Sequence, residues 1–406
     1  MKTSLIFLLS LIAALTLSAA DVQSVSRLAF GPDGVLFLAD WKASSIHALA
    51  LPKASAPAGG HFNVRDLDRR LAGTLGAKPA AIVDLAMRPG TGEAYVAVVT
   101  GDTRAPAVVR VGADGRADRL DLAAMKTSSL SLNDAPQSDL KIWDETPVRS
   151  LTVTDLKWHD GKLYVAGLAN TDFASTLRVA RYPFTGGQTA AAIAIYHTTH
   201  DQIETRAPIR AMTFATLAGE PHLVAAYTCT PLVTIPLAAI KDGAKITGKT
   251  IAELGFANAP NGMLAFTAEV DGKPVDFVLV ANAQRAPDAV PVAEIAAANA
   301  RPGLDKFVPF GRIHGVRTVP LPLAGVFRID NQDAARFVAL RRNMETGASE
   351  LVSIDKGLYL RRSDFIAEYN FPGYSYKANG KLQTDLLLPL HEKLNREEGF
   401  PPPVNN

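Results

Sequence analysis

Apolar and polar positions along the chain repeat one phrase: a short apolar strand, a turn, a second strand ending in Ala, a polar stretch and a third strand. The first copy is Leu28-Ala29-Phe30, the turn Gly31-Pro32-Asp33-Gly34, the strand Val35 to Ala39, a polar gap, then Ile46 to Leu49. The same grammar gives Leu85 to Met87, Tyr95 to Ala97 and Val109 to Val111, then Leu156 to Trp158, Leu163 to Ala166 and Leu177 to Val179. Three more worn copies follow. They are Met212 to Phe214 with Leu223 to Ala225 and Val233 to Ile235; Leu264 to Phe266 with Val278 to Ala281 and Val290 to Val292; and Val326 to Arg328 with Phe337 to Ala339 and Leu351 to Ile354. The closing alanines, Ala39, Ala97, Ala166, Ala225, Ala281 and Ala339, stand 58, 69, 59, 56 and 58 residues apart. Such steady steps mark an internal repeat.

The near-continuous apolar runs before each Ala suit strands covered on both faces, whereas Leu177-Arg178-Val179-Ala180-Arg181 alternates as a strand with one wet face does. Asp33-Gly34 and Asp160-Gly161 supply the positive backbone angles of tight hairpins. One sheet of three or four strands cannot bury both of its faces, so the copies must cover one another, and closing them into a ring leaves only short edges. The expectation is an all-β fold, a β-propeller of six blades. Seven blades, or an open solenoid needing end caps, are the alternatives. Val64, Leu67, Leu71 and Leu75 are spaced like one helix face, which predicts an inserted helix before the second copy. Residues 123–147, rich in Ser, Asn and Pro, read as a surface insertion that accounts for the long step of 69. The propeller is expected over residues 21–360, followed by a C-terminal extension over 361–406 that packs on it before fraying.

The first twenty residues change the picture of where this ring works. Lys2, the apolar run Leu5 to Leu17 and the small residues Ser18, Ala19 and Ala20 read as a signal peptide with cleavage after Ala20. The expected location is the periplasm or the exterior. No later segment is apolar for about 18 residues, so no membrane span is expected after cleavage. A net charge of +2, with both signs interspersed, argues against a nucleic-acid partner. Cys229 is the only cysteine, which excludes an internal disulfide and predicts a buried, inert thiol.

Leu28 to Leu49, with Gly31-Pro32-Asp33-Gly34 and Leu38-Ala39-Asp40, resembles blades of the NHL and SMP-30/gluconolactonase propeller group. Pro260-Asn261-Gly262-Met263-Leu264-Ala265-Phe266 is similar to that group's Pro-Asn-Gly-Leu-Ala-Phe strand start. The resemblance implies that Asn261 helps hold a divalent metal. Where the family has its Glu-Gly-Pro opening, this chain reads Gln23-Ser24-Val25-Ser26-Arg27.

Candidate chemistry falls in two places. Arg27, Asp84 and Asp155 each precede an apolar triplet, and Arg210 lies near the start of the fourth copy. Inner strands starting near a central channel would gather these side chains, with Asn261, at its mouth, either around a ligand or as ion pairs between blades. His197, His200, Asp201 and Glu204 offer donors that zinc or a similar ion accepts, in a spacing that matches no named motif. His159 reads as a solvated hairpin residue. The Asp-Gly turns lack the run of oxygen ligands of a calcium loop, and no nucleophile elbow, zinc-protease helix or phosphate loop is present. The leading expectation is a binding or scaffold propeller for an unidentified small molecule or periplasmic protein. The alternative is a metal-dependent hydrolase of the lactonase type, with Asn261 and Asp155 as ligands of a divalent ion such as calcium or zinc.

Overall fold

The computed structural model describes residues 21–357, apart from 55–58, 102, 271 and 324, together with the backbone of 18–19 and positions 381 and 385. The segment read as a signal peptide, apart from the backbone of 18–19, and the expected C-terminal extension, apart from positions 381 and 385, lie outside the described residues.

Among the described residues there are six sheets of four to six strands, one for each copy of the repeat. The chain is a six-bladed β-propeller. The inner strands are Arg27–Phe30, Pro79–Met87, Asp155–His159, Ile209–Leu217, Pro260–Val270 and Val326–Asn331, in blades 1 to 6. All six marker alanines lie on the second strands and are fully buried, because those strands are covered by a neighbouring blade on each side. Asp33 and Asp160 adopt φ of 54° and 45°, each followed by a glycine at positive φ, as tight hairpins require.

Spatial order departs from chain order. The inner strand of blade 1 packs between those of blades 2 and 3, while blade 2 packs on blade 6. The apolar clusters agree. Leu28, Leu36 and Leu38 pack with Tyr95 and Val108, and Phe37 and Ile46 pack with Leu156 and Val165. Leu85 and Val96 meet Val338 and Leu340. The ring therefore runs 2, 1, 3, 4, 5, 6.

Two strands from distant sequence stitch this ring. Asn63–Val64 completes blade 6 by pairing with Val352 and Leu351, and Lys126–Ser131 completes blade 1 by pairing with Ser45–Leu49. Each then leads to the inner strand of the next blade in space. The stretch read as a surface insertion thus contains a structural strand. Its polar sequence Lys-Thr-Ser-Ser-Leu-Ser hid it, although Thr127 and Leu130 are buried.

The helix Leu67–Leu75 forms where its apolar face predicts and buries Leu67 and Leu71, but Val64 belongs to the short strand before it. A second helix, Val292–Asn299, begins where the fifth copy was expected to continue as strand. Arg178 is also unlike its sequence pattern. It is fully buried, its Nε bonded to both carboxylate oxygens of Asp134 at 2.8 and 2.9 Å, with Thr152 and Leu168 carbonyls accepting its other N–H groups. Asp134, from the long insertion, covers the face that alternation had assigned to water. His159 is likewise drawn out of solvent, stacked on Phe214 with ring centroids 4.0 Å apart.

Candidate binding site in the central channel

The first polar side chains of five inner strands, Arg27, Asp84, Asp155, Asn261 and Arg328, line one cavity of about 460 Å³, whereas Arg210, at the start of the blade 4 inner strand, is not part of its wall. Arg27, Asp84 and Asp155 pair across the sheet with Ala39, Ala97 and Ala166. Arg210 and Asn261 sit in bulges at the equivalent strand starts, and Arg328 directly follows one. A bulge re-aims side chains and blurs the repeat, so Arg328 passed in the sequence as the third member of an apolar triplet. Lys157 and Asp330, further along their strands, also line the cavity.

These groups tie neighbouring blades, chiefly through backbone atoms. Asp84 accepts the Leu28 N–H at 2.8 Å, Asp155 the Met212 N–H at 2.7 Å, and Asp330 the Met87 N–H at 2.8 Å. Arg27 Nε donates to the Thr154 carbonyl at 2.6 Å and Arg328 Nε to that of Val83 at 2.9 Å. Asn261 Nδ2 donates to the Phe327 carbonyl at 2.9 Å. The ion pair expected between blades occurs between Arg328 and Asp84, at 3.3 Å.

Taken around the ring in spatial order, these residues read Asp84, Arg27, Asp155, Arg210, Asn261, Arg328. Charge alternates until Asn261, where an acid would continue the pattern and a neutral amide stands between two arginines. The exchanged order of blades 1 and 2 produces this alternation, since chain order would place Asp84 beside Asp155. Arg210 makes no hydrogen bond or ion pair among the described residues; burial lowers its pKa and the nearby Arg27 lowers it further, against the pull of Asp155. Burial and then Arg27 bring Arg328 down to about 10, with Arg210 contributing in the same sense against the pull of Asp84. Asp155 and Asp330 are pushed above the usual carboxylate range by burial, offset partly by Lys157. Asn261 Oδ1 and Asn331 Oδ1 are buried acceptors with no partner among the described residues.

This arrangement does not fit the divalent metal that the lactonase resemblance implies. Both oxygens of Asp155 accept backbone N–H groups, from Leu156 and Met212. Asn261 is flanked by guanidinium groups, whose charge repels a cation.

No protein-family model matches the chain, and no curated protein does. Among solved structures, the chain is similar to the PQQ-bound aldose sugar dehydrogenase of Streptomyces coelicolor, at 10% identity over 84% of this chain and 96% of that one, TM-score 0.30. It is also similar to an oxidoreductase described as a glucose dehydrogenase from Thermus thermophilus, at 13% identity over 82% and 97%, TM-score 0.31. A third is the xyloglucan PUL protein GH43B of Bacteroides ovatus, at 10% identity over 73% and 52%, TM-score 0.30.

The second sequence candidate lies apart from the channel, where the outer strand of blade 3 leads to blade 4. Glu204 joins both imidazoles, its Oε2 3.1 Å from His197 Nδ1 and its Oε1 2.5 Å from His200 Nδ1. Asp201 turns away to accept the Tyr196 hydroxyl. Cys229 takes its place beside the histidines, half-buried in the loop that opens the third strand of blade 4, with φ of 75°. The expected full burial of this thiol does not hold, because the cysteine sits in a loop rather than on a strand.

Proposed function

We propose that this protein is an exported binding protein that holds a small hydroxylated carboxylic acid in its central channel. The break in charge alternation at Asn261 carries this reading. The guanidinium groups of Arg27 and Arg328 line the cavity, and Arg210, close enough for its charge to act on both, makes no hydrogen bond or ion pair among the described residues. An arginine keeps its charge at any ordinary pH, so an incoming carboxylate is the complementary group for the gap between Arg210 and Arg328. The unpartnered Oδ1 atoms of Asn261 and Asn331 accept but cannot donate, which favours hydroxyl groups on the same ligand. A cavity of about 460 Å³ has room for an acid the size of a monosaccharide.

A thermal-shift panel of aldonic acids, simple carboxylates and neutral sugars tests the proposal. Aldonic acids should raise the melting temperature most and neutral sugars least, and added salt should diminish the shift. A panel in which neutral sugars stabilise as well as their acids would overturn it.

A further inference from the structure

We infer that His197, His200 and Cys229 form a binding site for a thiophilic transition-metal cation, best matched by Zn(II), at the junction of blades 3 and 4. One ligand atom from each lies within 4.8 Å of the others. A tetrahedral zinc shell places nitrogen and sulfur ligands about 3.5 Å apart, so the three must close by roughly an ångström around the ion. The His200 side chain is 49% exposed, so it can swing from its place over the His197 ring, 3.8 Å between ring centres, to make that adjustment.

Three independent features point to a ligand. His197 is almost fully buried, its Nδ1 is held by Glu204, and among the described residues its Nε2 has no nitrogen or oxygen partner and faces only the Cys229 thiol. A thiol is a weak partner for a sealed imidazole nitrogen, and a metal bond shared with that sulfur would satisfy it fully. Glu204 holds Nδ1 of both histidines, an arrangement that keeps each Nδ1 protonated and presents each Nε2 lone pair, as carboxylates do behind metal-bound histidines. Finally, Glu253 is fully buried with neither carboxylate oxygen hydrogen-bonded among the described residues, and its charge reaches His197. A cation nearby offsets that charge.

The donor set, two imidazoles and one thiol, suits zinc or copper and not calcium or magnesium, which take oxygen ligands. On binding, the Cys229 thiol releases its proton to solvent as the sulfur–metal bond forms, and a protonated His197 would release a second. Three protein ligands leave one position of a tetrahedral ion open to water. Glu204 is a positioning residue here, and Asp201 is outside the site.

The test uses the full chain purified without a metal-chelating tag. Zn(II) is added, excess is removed by dialysis and retained metal is counted by elemental analysis. Co(II) then serves as a spectroscopic probe. Wild type should retain about one ion per chain and, with cobalt, show thiolate-to-metal charge-transfer absorption, because the thiolate is a ligand. Cys229→Ser should lose that band, and His200→Ala should lose most of the retained metal. Glu204→Gln should weaken affinity by about tenfold or more while keeping the cobalt band, as expected for an outer-shell carboxylate. Asp201→Asn should leave both readouts unchanged. Retention by wild type no greater than by a Cys229→Ser/His200→Ala double variant of equal melting temperature would overturn the inference. So would a cobalt complex without the thiolate band.

Discussion

The carboxylate of Asp84 accepts the backbone N–H of Leu28, 2.8 Å away and 56 residues earlier in the chain. That bond fastens blade 2 to blade 1 across a seam, and the same carboxylate pairs with Arg328 of blade 6. One side chain thus bridges three blades that are consecutive in space but not in sequence. Replacing Asp84 with Ala leaves a buried N–H unsatisfied and a guanidinium unpaired. The expected loss is about 2–4 kcal/mol in urea unfolding. A loss under about 0.5 kcal/mol, typical of surface positions, would contradict the bridging role.

Residues 126–131 pair with the third strand of blade 1, which makes Leu130 a core residue in one cluster with Val153 and Leu156. Leu130→Ala should therefore cost about 2–4 kcal/mol, whereas Leu140→Ala, at an exposed site in the same insertion, should stay within about 0.5 kcal/mol. Equal effects at the two positions would return the whole segment to the surface.

Most of the ring was legible because blade strands must be apolar on both faces, and six alanine-ended runs at steady spacing need six such strands, each covered on both sides. Ring order was not legible, because it is set by which outer strand closes which blade. Those strands, Asn63–Val64 and Lys126–Ser131, are short or polar and carry almost no pattern of their own. The channel residues Arg27, Asp84 and Asp155 could be found because they sit in register with the marker alanines. Arg328 was missed because a bulge shifts it by one residue from that frame. Cys229 joined the two histidines only in three dimensions, since it follows His197 by a full hairpin and lies in a loop whose sequence, Thr-Cys-Thr, signals nothing.

Acidity should act on stability in two opposing ways. Asp40 is fully buried. Burial pushes its pKa up, but hydrogen bonding from His47, Ser24 and the backbone of Ala43 and Gln23 outweighs this and holds it below the ordinary value. A lowered folded-state pKa gives stability that is present above about pH 4 and is lost as the pH falls through the folded value. Asp40→Asn should flatten the acid limb of a stability-versus-pH curve. Asp155 and Asp330 have raised values, so their contribution is greatest below about pH 4 and declines as the pH rises through their folded values. An unchanged acid limb in Asp40→Asn would contradict the assignment.

The same two channel acids oppose a ligand carboxylate by their own negative charge. Protonating them makes the channel more positive, so affinity for an organic acid that stays ionised should rise as the pH falls toward their raised pKa values. Asp155→Asn should remove part of that dependence. Binding that weakens steadily over the same range, with the ligand still ionised, would count against an anion site.

Isothermal titration with gluconate and with glucose, against wild type and Arg210→Gln, bears most directly on the proposed role of the channel. Gluconate should bind wild type saturably, with affinity weakened by about tenfold or more in Arg210→Gln through loss of a favourable charge, and glucose should bind much more weakly. Glucose bound as tightly as gluconate, or gluconate affinity unchanged by Arg210→Gln, would contradict that role.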